Sequence, residues 1–190
     1  QGLDIRQESV HHHAYKVSFL GANQNQAFVN ENKNAVHHNY FIGNNQATWK
    51  TDVSLYGKIT HKNVYDNIDL IIYSKKNTFK YDFVVAPGVD PGKIALGFEG
   101  VQPKLSNDGN IVLQTSVNEV VEQAPYSYQM INGKEVKVPS RYKLEKGIIT
   151  FDFPEGYNNA YPLIIDPILV FATYSGGTGT GSGFYSYSTT

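Results

Sequence analysis

Apolar and aromatic side chains recur at every second position along most of this chain, and no other feature of the sequence constrains the fold as strongly. In residues 79–85, Phe, Tyr, Phe and Val alternate with Lys, Asp and Val. The same period appears in segments 15–19, 94–98, 126–130 and 149–153. A period of two is typical of β-strands, whose successive side chains point to opposite faces of a sheet. Helical periodicity is almost absent, so we expect the aromatic residues of these rows to fill the core of an all-β protein.

Turn residues separate these rows at short intervals. Asn132-Gly133 divides two alternating segments, and Asn107-Asp108-Gly109 and Lys146-Gly147 do the same elsewhere. Asn-Gly pairs favour two-residue hairpins, because both central residues of such a turn need a positive φ. The Pro- and Gly-rich stretch 87–92 cannot continue a strand and predicts a rigid loop. The sequence therefore predicts an antiparallel β-sandwich-like domain with negligible helix.

Composition narrows the classes of function and partner. The chain has 190 residues, 41% of them hydrophobic, which is enough to form a core. The net charge is −1 and the longest basic run is Lys75-Lys76, so we expect no nucleic-acid partner. No cysteine is present, and nowhere do 18 apolar residues run together, so we expect neither a disulfide nor a membrane span. Residues 1–6 lack the features of a signal peptide, which was therefore removed or precedes this chain.

The last part of the chain changes in composition. The apolar run 163–171 contains Asp166-Pro167 and is followed by a stretch rich in Gly, Ser and Thr that still carries aromatic residues. We therefore expect an N-terminal extension at 1–12, a β-sandwich-like domain at 13–170, and at 171–190 either a linker or the first strand of a second domain.

Three ordered blocks resemble a known family. They are HNYFIGN followed by WKTDV within 38–53, VYDNIDL continuing to KYDFVVAPG within 64–88, and LIIDPILVFATY at 163–174. In this order and spacing they resemble the N-terminal β-domain that precedes SBBP-type β-propeller repeats in Bacteroidetes surface proteins associated with gliding motility. The resemblance covers about residues 13–175. It implies export, commonly by type 9 secretion, and it implies that residues 173–177 begin a first propeller repeat.

Two features qualify this resemblance. Relatives carry further β-structure before the first strand, and that region is nearly missing here, as expected of a processed or trimmed chain. The family offers no catalytic residues that can be transferred to this sequence. The function of the family is itself poorly defined, so the resemblance assigns no reaction to this chain.

Candidate ligand-binding residues are few. Trp49 lies in the polar segment GNNQATWKTD, and with Tyr56 it could provide a platform on which a sugar ring stacks. Trp49 could equally be a structural residue that fills a gap in the core. We expect one of these two roles for Trp49.

Candidate metal ligands lie in the turns. Asp66, Asp69 and Asp108 offer oxygen ligands suited to Ca²⁺, although the same residues are common in hairpin turns. The histidines at 11–13 and 37–38 could contribute to a zinc site, but no His-x-x-x-His or His-Glu-x-x-His spacing supports one. We therefore expect no bound cofactor, with Ca²⁺ as the exception to test.

Hydrolysis is the weakest of the functions considered. Gly181-Ser182-Gly183 is too short for a nucleophile elbow, and the pairs Asp66 with Asp69 and Asp82 with Glu99 have a simpler role in turns and on strand surfaces. We expect no catalytic residues. The expected function is a structural or capping module of a large exported cell-surface protein, with glycan or protein binding as the alternative.

Overall fold

The computed structural model describes residues 12–24, 27–75, 78–169 and 183–189. This part of the chain contains no α-helix, only short 3₁₀ turns at Gln46–Thr48 and Pro91–Lys93. The strands of the described residues are β1 (His12–Phe19), β2 (Ala27–Tyr40), β3 (Lys50–Tyr65), β4 (Ile68–Lys75), β5 (Thr78–Val85), β6 (Ala95–Glu99), β7 (Pro103–Leu105), β8 (Ile111–Gln114), β9 (Glu119–Ile131), β10 (Lys134–Val138), β11 (Arg141–Glu145), β12 (Ile148–Asp152), β13 (Leu163–Leu169) and β14 (Gly183–Thr189).

The strands form two antiparallel sheets. The smaller sheet has the order β11-β12-β6-β1-β14, and the larger sheet has the order β2-β3-β4-β5-β13-β9-β8-β7, with β10 paired to β9. Aromatic contacts join the two sheets: Phe83 of the larger sheet meets Phe19 and Phe151 of the smaller one, with ring centroids 5.6 and 6.0 Å apart. The fold is therefore the antiparallel sandwich-like arrangement that the sequence predicted.

The alternating rows form the core in most places. Phe83, Val85, Ile94 and Ile149 are each 0% exposed, and Leu96 is 1% exposed. Ile94 lies just before β6, and the other four lie on the inner sides of their strands, because the side-chain period of an extended strand is two. Burial of this apolar surface is the main force that holds the sheets together.

The predicted turns are also confirmed. Asn132 and Gly133 have φ of 51° and 76°, and Lys146 and Gly147 have φ of 51° and 80°. Each pair joins two adjacent antiparallel strands, β9 to β10 and β11 to β12. The stretch 87–92 forms a turn followed by the start of a 3₁₀ turn, in which Gly92 N–H donates to Asp90 Oδ1 at 2.8 Å.

Strand β9 corrects one expectation. Tyr126 and Tyr128 were expected in the core, but they are only half-buried and lie on the outer side of the larger sheet, while Ser127 and Gln129 are 0% and 1% exposed. The residues do share faces as the period predicted. The assignment of the faces was wrong, because periodicity identifies which residues lie together but not which side is covered.

The C-terminal strand lies in the smaller sheet. Residues 183–189 pair with β1 in the register His12 to Thr189 and Ser18 to Gly183. Residues 1–11 and 170–182 lie outside the described residues, and with them most of the expected N-terminal extension and of the link to a second domain. The division into domains at 12 and 170 stays a prediction.

Candidate functional site

A long hairpin extends from the edge of the larger sheet. We call β2, the loop that follows it and the first eight residues of β3 the hairpin arm (residues 27–57). Within the described part of the chain, β3 pairs with β4 only from Lys58 onward, so residues 50–57 of β3 pair only with β2. At about 3.3 Å per residue, the two-stranded part is roughly 25 Å long. Every residue of β2 is exposed.

The hairpin arm carries most of the exposed apolar surface. Among the described residues, eleven large hydrophobic side chains are exposed, and seven of them lie on the arm: Phe28, Val29, Val36, Tyr40, Phe41, Ile42 and Tyr56. Phe41 is 59% exposed and Ile42 is 70% exposed, and both lie at the tip. Single exposed apolar residues are ordinary, but a concentration of them on one protruding element indicates a contact surface.

The tip of the arm is ordered by its own hydrogen bonds. The Asn45 side chain accepts from Ala47 N–H at 3.1 Å, and the Thr48 hydroxyl donates to the Asn45 carbonyl at 2.7 Å. Trp49 Nε1–H donates to the Gly43 carbonyl at 3.1 Å. The tip therefore presents a fixed surface, which lowers the entropy lost when a partner binds.

The free edge of the arm is protected against strand pairing. Asn32 has a φ of 56°, and the register with β3 shifts between Lys33 and His37. The Asn34 side chain then accepts from Val36 N–H at 3.0 Å. Bulges of this kind interrupt the row of edge hydrogen-bonding groups and hinder the addition of another strand. Contact through the arm is therefore expected to use its side chains.

The predicted ligand-binding residues both lie on this arm but do not form one site. The Trp49 ring contacts Phe41 edge-on, with centroids 5.1 Å apart, and is partly exposed. Tyr56 lies opposite Lys33, seven residues further along β3, which is about 23 Å of extended strand. Sugar binding that uses Trp49 stays a prediction, and Tyr56 would not share that site.

The structure separates the predicted metal ligands. Asp66 accepts from Asn23 Nδ2 at 3.1 Å in the β3–β4 turn, and Asp108 lies in the β7–β8 turn. Both oxygens of Asp69 are used, one by Lys62 Nζ at 2.7 Å and one by the backbone N–H of Asn63 at 2.9 Å. Across the ranges the structure describes, no three His, Asp or Glu side chains form a group that could hold a metal ion.

Two of the candidate histidines have local partners. His13 contacts Ser116 through Nδ1 at 3.1 Å and the Gly100 carbonyl through Nε2 at 3.0 Å. His37 Nδ1 lies 3.2 Å from Asp52 Oδ1 on the arm. These contacts connect loops and strands, and the two histidines serve different parts of the fold. His11 lies outside the described residues.

A carboxyl group lies buried between the two sheets. Glu122 is 7% exposed, and its Oε1 accepts from the Tyr81 hydroxyl at 2.7 Å and from the Tyr142 hydroxyl at 3.0 Å. Burial raises the pKa of Glu122, and the two hydrogen bonds oppose that rise only in part. Because Tyr142 comes from the facing sheet, the cluster connects the sheets and is best explained as a structural link. Alternation in the sequence gave no sign of it.

An open pocket of about 310 Å³ lies beside the β3–β4 turn. It is lined by Leu20, Gly21, Asn23, Tyr65, Asp66 and Lys93. Tyr65 forms hydrogen bonds of 3.3 Å with the backbone of Ala95, and Asn23 bridges the Asn63 carbonyl and Asp66. The polar side chains that line the pocket thus mainly form hydrogen bonds within the protein. We interpret the pocket as a place where strands and turns meet rather than as a binding site.

Buried Gln129 fixes a long loop. Its Nε2 donates to the carbonyls of Asn158 and Tyr161 at 2.9 and 3.1 Å, and its Oε1 accepts from Asn158 N–H at 2.9 Å. An amide side chain suits this position because it can donate and accept at once. The sequence did not predict a buried role for Gln129, because a glutamine that alternates with aromatic residues is typical of the exposed face of a strand.

Comparison with known proteins identifies one family. Residues 2–168 match the model of a family described as a domain of unknown function (DUF7948). No curated protein and no solved structure matches the chain. In the described ranges, no helix is long and apolar enough to cross a membrane.

Proposed function

The chain belongs to the DUF7948 family of domains, and we propose that it is a non-catalytic structural module of a large exported bacterial cell-surface protein. In this proposal the module packs against downstream β-propeller repeats of the same polypeptide and caps or braces them. The protein would act in adhesion or gliding. The family resemblance of the three sequence blocks suggests this setting, and the hairpin arm supplies the physical support.

The observation that carries the proposal is the apolar surface of the arm. Phe41 and Ile42 project from an ordered tip, and the arm below them exposes Val36 and Tyr40. Two-stranded ribbons are marginally stable in water by themselves. An arm with this length and these side chains gains stability when its apolar face is covered, at about 25 cal/mol for each Å² of apolar surface removed from water.

Capping explains why such an arm would be useful. The terminal units of a β-repeat array expose unpaired backbone groups and part of their apolar core. A module that lays a side-chain surface across that end shields it from solvent and from other chains. The interrupted edge of β2 fits this role, because it restrains the arm from pairing with strands of unrelated molecules.

Hydrogen–deuterium exchange would test the docking directly. The 190-residue chain is compared with the longer protein that contains its downstream region, and the exchange of residues 33–56 is followed in both. We expect slower exchange of these amides in the longer protein, because docking stabilises the ribbon. Equal exchange in the two proteins, or a gene product that ends at Thr190, would contradict the proposal.

A matched pair of variants separates docking from folding. In the longer protein, Ile42→Asp is expected to abolish the protection of the arm, because a charge would be buried in the contact. Gln46→Asp places the same charge at an exposed polar position of the tip and is expected to preserve protection. Removal of residues 1–170 is expected to make the downstream repeats aggregate or become sensitive to protease. Repeats that stay soluble and resistant without the module would show that they need no cap.

A further inference from the structure

The outer side of the larger sheet carries a group of tyrosine rings that the arm does not involve. Tyr73 lies on β4, and Tyr126 and Tyr128 lie on β9, with the rings of the last two 5.8 Å apart. All three are half-buried and point away from the core. Strands β5 and β13 lie between β4 and β9, so the rings span three strand spacings, or about 14 Å. We call this group the tyrosine face.

Charged side chains lie between the rings. Lys80 Nζ on β5 is 2.9 Å from both carboxylate oxygens of Asp166 on β13, and these side chains are only 17% and 19% exposed. Next to them, the Tyr73 hydroxyl donates to Asp82 Oδ1 at 3.3 Å. The polar groups therefore occupy fixed positions on the sheet before any ligand arrives.

The far side of the face is equally well ordered. The Tyr126 hydroxyl donates to Glu135 Oε1 on β10 at 2.6 Å, and Lys137 Nζ lies 5.7 Å from the centroid of the Tyr126 ring. Tyr128 lies opposite Ile164 on β13 and opposite Lys137 on β10. Rings and charges thus alternate across five neighbouring strands.

From this arrangement we propose that the tyrosine face binds a neutral polysaccharide chain. Sugars present apolar ring faces, which stack on aromatic side chains, and hydroxyl groups, which bond to carboxylates and ammonium groups. The tyrosine face offers both kinds of contact at fixed positions and in alternation. This proposal concerns a different surface from the docking of the arm and does not depend on it.

The charges of the face select among possible ligands. The face carries three carboxylates and two ammonium groups, so its net charge is −1: the residues are Asp82, Asp166, Glu135, Lys80 and Lys137. This negative charge disfavours nucleic acids and acidic polysaccharides, because like charges repel. An apolar protein surface is also disfavoured, since it would remove water from these charges without replacing their hydrogen bonds. Sugar hydroxyls can replace those bonds, because each carboxylate accepts up to about four.

The ionisation of the tyrosines agrees with this role. Burial raises the pKa of Tyr73, and Asp82 and Asp166 add to that rise. The pKa of Tyr128 is raised by burial and by the same two carboxylates together with Glu135. These hydroxyls therefore stay protonated at neutral pH, so that Tyr73 keeps its donated bond to Asp82 and Tyr128 keeps a proton that it can donate to a sugar.

Affinity electrophoresis of the 190-residue chain would test the proposal. Native gels contain mixed-linkage β-glucan, xyloglucan, galactomannan or dextran as neutral probes, and alginate or polygalacturonate as acidic ones. We expect retardation by at least one neutral probe and by neither acidic one. Tyr126→Ala and Tyr128→Ala are each expected to weaken binding about tenfold, as is usual for a central aromatic contact.

Two controls locate the binding. Tyr40→Ala changes an exposed aromatic residue of the arm that belongs to no predicted sugar site, and it is expected to leave retardation unchanged. Trp49→Ala distinguishes the tyrosine face from the sugar site predicted at the tip of the arm. If an alanine variant fails to fold, judged by circular dichroism, Tyr126→Leu and Tyr128→Leu keep apolar bulk at these positions and remove the flat ring together with its hydroxyl. The proposal is overturned if no neutral probe retards the chain, if only acidic probes do, or if the arm variants rather than the face variants lose binding.

Discussion

The buried carboxyl of Glu122 makes the stability of the fold depend on pH in a defined direction. In the unfolded chain a glutamate has a pKa near 4.5, and burial raises that pKa in the folded protein. Between the two pKa values the folded state keeps a proton that the unfolded state has lost. Stability therefore falls as pH rises through this interval, and it levels off above the folded pKa. The contribution of Glu122 is fully present only below about pH 4.5.

Replacement of Glu122 by Gln removes this dependence and keeps an oxygen that can accept from Tyr81 and Tyr142. Near pH 4 the free energies of unfolding of the two proteins should differ by about 1–2 kcal/mol at most, because both folded proteins carry a neutral side chain at position 122. As pH rises, the free energy of unfolding of the variant should increase relative to that of the wild type by about 1.4 kcal/mol for each pH unit between the two pKa values. The change with pH, rather than the offset at pH 4, is the quantity of interest.

The measurement is urea unfolding at pH values from 4 to 8, followed by far-ultraviolet circular dichroism. Fluorescence of Trp49 is unsuitable, because that residue lies on the hairpin arm and reports its surroundings. Glu119→Gln, at the exposed start of the same strand, is the matched control and should follow the wild type at every pH. A stability difference that stays constant from pH 4 to 8, or widens toward acid, would show that Glu122 does not retain its proton in the folded protein.

Three further changes probe the core and the turns, each by urea unfolding. Phe83→Ala should lower the free energy of unfolding by about 3–5 kcal/mol, because the ring is fully buried between the sheets and its removal leaves a cavity; a loss below 1 kcal/mol would contradict this packing. Ser127→Ala should raise it by about 1 kcal/mol, since the buried hydroxyl has no hydrogen-bond partner among the described residues, and a clear loss would imply a partner. Gly133→Ala should lower it by roughly 1–2 kcal/mol through backbone strain at φ 76°, since no atom lies within 4 Å of the new Cβ; Lys134→Ala beside it should have little effect.

The local features of the fold could be predicted because they depend on short-range chemistry. Asn132 and Gly133 adopt positive φ, as expected of an Asn-Gly pair, and the row that contains Phe83 is buried as its period indicates. The side of the sheet that is covered depends on distant strands. This is why Tyr126 and Tyr128, which look like core residues, lie outside, and Gln129 lies inside, where it binds the loop between β12 and β13.

The hairpin arm was harder to predict from sequence. Residues 27–40 are rich in Asn and lack clean alternation, so they resemble a loop rather than a fourteen-residue strand. The bulge that begins at Asn32 shifts the register, which also disturbs the period. The sequence contained one sign of the arm. The apolar pair Phe41-Ile42 lies directly before a polar turn, a position at which a strand that packs in the core has usually ended. The tyrosine face depends on pairing between β4, β5, β13 and β9, which no local pattern contains.

The pairing of β1 with β14 determines how the domain responds to mechanical tension. The two strands run antiparallel, so His12 and Thr189 lie side by side at one end of the ladder. A force that pulls these two residues apart acts along the hydrogen bonds of the ladder and breaks them one after another, which is the unzipping geometry. The remaining sheet, in which β1 also pairs with β6, would be loaded only after β14 has peeled away. The smaller sheet would in this way lose its outer strand before its inner strands come under load.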